Sequence, residues 1–517
     1  MYKRIKEIWN NEKKIISFLI LLTISALTYT IYIHSNISIN NGFINKRYDV
    51  IFTLISISLM LIINICSIII IKKNDIKVEK LFIILALIYG LYFLVVAPIN
   101  NGSDEDKHFF RTFEVMTGQF VTEYQGDAKL LDKNVPSSFL KVIESNNIDG
   151  SIKMHNLREK FNIELNKKEI QDRIGKDGAR GYSPIIYIPQ SIGMSIGVLA
   201  NMKPLIIINL SRIFGFLTWL IICAYAIKIM PYKKEYFLIL ALLPGNLTSA
   251  VTLSADTILN STVFLMIAKI MQIIEKNENI NIKDYFILLI TSIIIGQCKM
   301  AYLPLIFSCL LIPMNKYKSK KDYIFGNVLI IGLSFLGTYI WLKAAAAQHY
   351  CLGEENLQEK WILNNPFKYV IIIFRTMIES FPQLFYGISA GNSMYLARVH
   401  VPDIISLGLM MCLIISLFLN ENKSKINDLR RFFVLLLKLC IFLLIVTSMY
   451  ISATVIIHKE IGTRIIEGLQ GRYFIPILAL STVIFRKKLF NIQEKYLYIL
   501  FMFLEYMVVL NVMATFI

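Results

Sequence analysis

The chain has 517 residues, of which 56% are hydrophobic and only 17% charged, with a formal net charge of +18. Soluble globular domains carry about 25% charged residues, so the composition excludes one and points to a polytopic membrane protein. The Lys and Arg fall in short clusters between apolar runs, which excludes a nucleic-acid-binding surface and matches the bias of cytoplasmic loops.

The basic start MYKRIKEIWNNEKK precedes the apolar run 15–33 and reads as a cytoplasmic tail before a retained first span. A helix needs about 20 apolar residues to cross a bilayer. Runs that meet or approach this lie at 15–33, 49–71, 81–98, 205–229, 236–253, 256–275, 283–298, 301–314, 324–342, 402–419, 432–456, 472–485 and 495–517. They predict an all-α chain of about thirteen spans. With the N-terminus inside, KKNDIKVEK, PYKKEY, NKYKSKKDY, NENKSKINDLRR and FRKK all fall in the cytoplasm. That threading requires 184–200, which carries two prolines and two glycines, not to cross. It sends 99–183 outside as one large extracytoplasmic loop. The expected division is a tail with two added spans over 1–80, a membrane domain over 81–490 and a last span over 491–517.

Five stretches at the expected outer face mix acids and bases. The first is GSDEDKHFFR, where Asp104 and His108 share a helix face, Ser103 is the expected N-cap and Glu105 and Arg111 lie beside them. A carboxylate at the bilayer edge is suited to act as a base or to hold a divalent cation. The second, LLPGNLTSAVTLSADTILNS, turns sharply at LSAD and sets Asp256 and Asn260 one helical turn apart, with Ser254 or Asp256 as the expected cap. The third, RGYSPIIYIPQSIG, offers Arg180, Tyr182, Tyr187 and Gln190. The fourth, GQCKMAYLP, carries Lys299 and Tyr302, and the fifth, LQGRYFIP, carries Arg472 and Tyr473. Their bases either snorkel to the interface or clamp a phosphate, Arg in bidentate fashion and Lys as a point charge. No CxxC or Cys/His spacing typical of a metal site appears among the seven cysteines.

Together GSDEDKHFFRTFEVMTGQF, YSPIIYIPQSIG, LLPGNLTSAVTLSADTILN, CKMAYLPLI and QGRYFIPIL resemble the bacterial membrane proteins of domain-of-unknown-function family 2142. Asp104, Glu105, His108, Phe109, Arg111 and Gly118 fit that family's pattern, and Ser103 stands where a proline is commoner. The family is similar in layout to the GT-C glycosyltransferases, which use polyprenyl-phosphate-linked sugars at the outer face of a membrane. The resemblance implies a GT-C-like transferase whose catalytic carboxylate is Asp104 or Glu105. The others, His108, Arg111, Arg180, Tyr182, Tyr187, Gln190, Asp256, Asn260, Lys299, Tyr302, Arg472 and Tyr473, would bind substrate. Expected partners are a polyprenyl-phosphate-linked sugar, a glycan or lipid acceptor and membrane lipids, with no nucleic acid. The resemblance makes no cofactor certain, and a divalent cation (Mg or Mn) held by Asp104, Glu105 and Asp256 is left open. Two other readings stand beside this one: a flippase or transporter of lipid-linked glycans, and a non-catalytic scaffold subunit of an envelope-polymer machine. Charge clustered at one end favours transfer; charge strung across the bilayer favours transport.

Overall fold

The structure, a computed structural model, describes residues 2–40, 46–73, 76–96, 98–121, 124–125, 129–144, 160–175, 178–345, 353–390, 399–421, 424–458 and 460–516. Among these, eight helices are long and apolar enough to cross a membrane, and four shorter apolar ones lie at Pro184–Leu199, Met300–Leu311, Asp403–Leu419 and Gly471–Ile484. The protein is therefore a mostly helical, multi-pass membrane protein.

The chain opens with α1 (Tyr2–Asn40), α2 (Lys46–Lys72) and α3 (Val78–Val96). The polar segment that follows holds α4 (Glu105–Met116), α5 (Ser137–Glu144) and three strands, β1 (Tyr124–Gln125), β2 (Lys129–Pro136) and β3 (Ile170–Gly175). The strands form one antiparallel sheet in the order β1-β2-β3, with Leu131 opposite Ile174. This sheet is a departure from the all-α expectation, confined to the segment outside the spans. Aromatic residues of α4, Phe109, Phe110 and Phe113, pack with Val135 and Phe139 and with Met194, Ile207 and Ile208, and so seat the segment on the membrane helices.

Next come α6 (Ile188–Leu199), α7 (Pro204–Ile229), α8 (Lys234–Leu242), α9 (Pro244–Val251), α10 (Asp256–Glu275) and α11 (Ile282–Cys298). Then follow α12 (Lys320–Ala345), α13 (Gly353–Asn364), α14 (Pro366–Glu379), α15 (Phe381–Ser389), α16 (Asp403–Leu419) and α17 (Asp428–Ile451). The chain closes with α18 (Ala453–His458), α19 (Ile475–Ala479), α20 (Ser481–Ile484) and α21 (Glu494–Phe516). Helix α10 is central: its apolar window is 89% buried, against 17% for the first span. It packs on α7, on α11 and on the 3-10 helix Met300–Leu311. Helix α11 starts with a reciprocal capping box between Asn281 and Asp284.

Three expected spans are not continuous α-helices, and each contains a proline, which cannot donate to the helix ladder and crowds the turn before it. The run 236–253 splits into α8 and α9 at Pro244. The run 301–314 is a 3-10 helix containing Pro304. The run 472–485 is three short pieces, the second with Pro476 in its first turn. The segment Pro184–Leu199 is a short apolar helix, below the about 20 residues that a spanning helix needs.

Candidate functional site

Helix α4 begins where the chain leaves α3. Ser103 is not its cap: Asp104 occupies that position in the left-handed region, φ 57°, and its side chain makes no capping hydrogen bond. The Asp104 carboxylate instead meets Lys107 at 2.6 Å and lies 3.9 Å from Arg472 Nη2, with 44% of the side chain exposed. Burial raises its pKa, but Lys107 and Arg472 outweigh that and hold it below the usual carboxylate value.

The adjacent Glu105 points the other way. Consecutive residues on a helix differ by about 100° in direction, and the Glu105 side chain is 1% exposed. Arg212 of α7 grips it from Nε to Oε1 and from Nη2 to Oε2, both at 2.7 Å. The backbone N–H groups of Leu253 and Gly102 donate to the same two oxygens at 3.0 and 3.1 Å. This bidentate pair ties α4 to α7 and to the turn before α10.

That turn delivers Asp256. Ser254 Oγ accepts from the Asp256 backbone N–H at 3.1 Å, but the cap position of α10 is Ala255, so neither Ser254 nor Asp256 is the cap expected from the sequence, and the Asp256 carboxylate is not spent on the helix end. It accepts from Lys299 Nζ at 2.5 Å and from Arg472 Nη1 at 3.1 Å. Gln470 Oε1 accepts from Arg472 Nε at 2.7 Å and fixes its plane. Lys299 lies 5.1 Å from the ring centroid of Tyr473 and 5.7 Å from that of Tyr182. Tyr302 donates to the Tyr473 carbonyl at 2.8 Å. His108, buried, shares a 2.7 Å hydrogen bond with Tyr187 through Nδ1 and stacks on Tyr182. The turn at LSAD, the start of the 3-10 helix after α11, and the QGRYF stretch thus converge on the first turn of α4.

Not every expected residue joins them. Arg111 is buried against Glu114 at 2.8 Å and donates to the Phe120 and Tyr182 carbonyls. Asn260 donates to Asn246 at 2.8 Å, and Asn246 in turn serves the carbonyls of Leu240 and Ala241 that the break at Pro244 leaves open. Gln190 donates to the Ser254 carbonyl at 3.1 Å and steadies the turn from behind. The side chain of Arg180 lies outside the described residues. The sequence reading did not single out Lys107, Gln470 or Arg212. Arg212 had a usable signal, an arginine inside an apolar run.

A divalent cation does not fit the carboxylates proposed for it. Both Glu105 oxygens are committed to Arg212, and both Asp256 oxygens already face a cation. Among the described residues no three His, Cys, Asp or Glu side chains form a metal-binding group.

Burial lowers the His108 pKa from 6.5 to about 4, so the ring is neutral at physiological pH. The unfolded chain binds a proton below 6.5 that the folded chain refuses until about 4. Stability is therefore full above the unfolded value and falls as pH drops through this window, by about 3 kcal/mol in total. Thermal unfolding from pH 7 to 4.5 is expected to show this loss, and His108→Gln to flatten it. An equal slope in parent and variant would contradict the assignment.

Beside the cluster is a cavity of about 240 Å³ whose lining includes Lys299, Tyr182 and Tyr473 together with Trp341, Ile445 and Met449. The apolar helices and the gathered acids and bases define a class: a multi-pass membrane protein with a buried charge cluster next to an apolar cavity. This chain belongs to the family described as Predicted membrane protein (DUF2142), whose model matches residues 87–481. No curated protein and no solved structure matched the chain. Helices α1, α2 and α21 fall outside the matched stretch and pack on one another; Tyr506 reaches Thr30 at 2.8 Å and the Ser56 carbonyl at 3.3 Å.

Proposed function

We propose that this protein is a GT-C-like glycosyltransferase that moves a sugar from a polyprenyl-phosphate donor to a glycan or lipid acceptor at the outer membrane face. The observation that carries this reading is the convergence of Asp104, Asp256, Lys299 and Arg472 beside an apolar cavity. Lys107, Lys299 and Arg472 set three positive charges against the two of Asp104 and Asp256, and His108 is neutral. Lys299 has three donors and Arg472 five, more than their protein partners use. Asp256 holds both bases in place while the remaining N–H groups face the phosphate.

In the reaction the acceptor hydroxyl oxygen attacks the anomeric carbon as the bond from that carbon to the phosphate oxygen breaks. Polyprenyl phosphate leaves with the bonding electrons, and Lys299 and Arg472 stabilise the charge it gathers. The hydroxyl proton passes to Asp104, which is ionised, half-exposed and freed from capping by its left-handed backbone. A strained, uncapped aspartate at a cluster of charge is what a functional constraint predicts. Glu105, fully occupied by Arg212, is a positioning residue. The distribution of charge supports transfer over transport. Lys438 and Glu505 lie within spans, but no hydrogen bond or ion pair among the described residues links them to the cluster.

Arg472→Ala is expected to weaken binding of undecaprenyl phosphate at least tenfold, the scale of about 1.4 kcal/mol for a charge-assisted contact. Arg472→Lys restores only part, because the fork is lost. Unchanged binding by the Ala variant would reduce Arg472 to an interfacial anchor.

In this proposal the 99–183 segment is extracytoplasmic. A cysteine at Glu164, a side chain 75% exposed, placed in a background without native cysteines, should react with an impermeant maleimide in intact cells. Protection until the cells are opened would reverse the orientation.

A further inference from the structure

Two of the stretches that build the charge cluster carry a glycine that its chemistry does not use. Gly471 stands immediately before Arg472, and Gly245 lies in the first turn of α9, the helix that leads to the turn of Asp256. Both face one helix. A Cβ added at Gly471 would lie 2.4 Å from the Gly387 carbonyl carbon and the Ile388 nitrogen, and 2.5 Å from the Leu384 oxygen. One added at Gly245 would lie 3.1, 3.2 and 3.3 Å from the carbonyl oxygens of Ile388, Ser389 and Gly387. All these atoms are backbone of α15. Neither glycine has a positive φ, so space rather than backbone conformation excludes a side chain there.

Helix α15 is thus pressed, backbone to backbone, between the turn that carries Arg472 and the helix that leads to Asp256, and it packs on both. Its own sequence permits this. Pro382 sits in its first turn, and Gly387 stands at the contact, although glycine inside a helix costs about 1 kcal/mol relative to Ala. The Arg472 turn is also held elsewhere: Tyr302 donates to the Tyr473 carbonyl at 2.8 Å, and Gln470 accepts from Arg472 Nε at 2.7 Å. The 3.1 Å contact of Arg472 with Asp256 therefore depends on where α15 lets this turn lie.

We infer that α15 is a wedge that sets the position of Arg472 against Asp256, and that Gly471 is a positioning residue through which the wedge acts. The inference rests on the proposed phosphate role of Arg472 and adds what places that group. Gly471→Ala must open its 2.4 Å contacts toward the roughly 3.5 Å of ordinary carbon packing, a displacement of about 1 Å. The opposing atoms are backbone and cannot swing aside as a flexible side chain does. An offset of about 1 Å at a functional group can cost about 10²-fold in rate. Gly245→Ala meets only oxygens beyond 3 Å and calls for a smaller shift.

The test is a double-mutant cycle on the full-length protein in lipid nanodiscs, with undecaprenyl phosphate as the probe and its Kd read per folded protein. Gly471→Ala is expected to weaken binding about tenfold. In an Arg472→Ala background it should add less than about twofold, because the group it displaces is already gone. Losses that multiply would overturn the inference, since Gly471 would then act on something other than Arg472. A folded Gly471→Ala protein that binds as tightly as the parent would overturn it too. If Gly471→Ala does not fold, Gly245→Ala carries the same cycle, with a loss of about threefold that vanishes when Arg472 is absent; multiplication there overturns the inference equally. An electron cryomicroscopy map of the folded variant reads the wedge without ligand. Arg472 is expected beyond about 4 Å from Asp256, the limit of an ion pair, and an unchanged contact would overturn the wedge. Should Arg472→Ala alone leave binding unchanged, the phosphate reading falls, while the map still decides the wedge.

Discussion

Asp104→Asn is expected to lower sugar transfer by roughly 10²–10⁴-fold, the usual scale for a positioned general base, with folding unchanged. The reasoning is geometric. Asn keeps the shape and tolerates the left-handed backbone at φ 57°, so the start of α4 should survive. The side chain caps nothing, so no helix stabilisation is lost with the charge. What disappears is the ionised oxygen beside Lys107 and 3.9 Å from Arg472. Asp106→Asn is the internal control, since the sequence reading gives that residue no part in the chemistry. Initial rates in proteoliposomes loaded with lipid-linked sugar give the measurement. Equal rates for Asp104→Asn and Asp106→Asn would remove Asp104 from the chemistry.

Glu105→Gln should give the opposite signature, a loss of stability. The carboxylate holds Arg212 by two 2.7 Å bonds, and both partners are almost wholly buried. Removing one member of a buried pair strands the other charge and costs about 3–5 kcal/mol. Thermal unfolding in detergent should show a clear drop, and any fall in transfer should follow the folded fraction. Glu105→Gln together with Arg212→Leu should recover part of the stability, because the stranded charge is gone while the single Gln oxygen still accepts from one of the Leu253 and Gly102 N–H groups. A Glu105→Gln protein as stable as the parent but inactive would exchange the roles of the two neighbours.

The two adjacent acids show where sequence reading stops. Their place at the mouth of a span was legible from the end of the apolar run before them. Which of them faces the polar site was not, because that depends on where the first helical turn begins, and Asp104 rather than Ser103 occupies the cap position. Asp256, Lys299 and Arg472 were legible for a shared reason: each sits at the end of an apolar run, on the side the basic loops mark as outer. Asn260 was drawn in by its spacing from Asp256, yet the break at Pro244 claims it through Asn246. Among the described residues eight of the expected spans are long apolar helices, and prolines fall inside three of the runs that are not, since composition alone does not reveal a helix end. The cavity beside Lys299 was out of reach, because its lining residues meet only in three dimensions.

The central claim, that a lipid-linked sugar is consumed at this site, is tested most directly by mass-spectrometric profiling of lipid-linked sugars in cells lacking the protein. The expected result is a polyprenyl-phosphate-linked sugar that accumulates, returns to its normal level when the parent chain is restored, and stays high when Asp104→Asn is restored instead. A lipid-linked sugar pool identical in all four strains would contradict it.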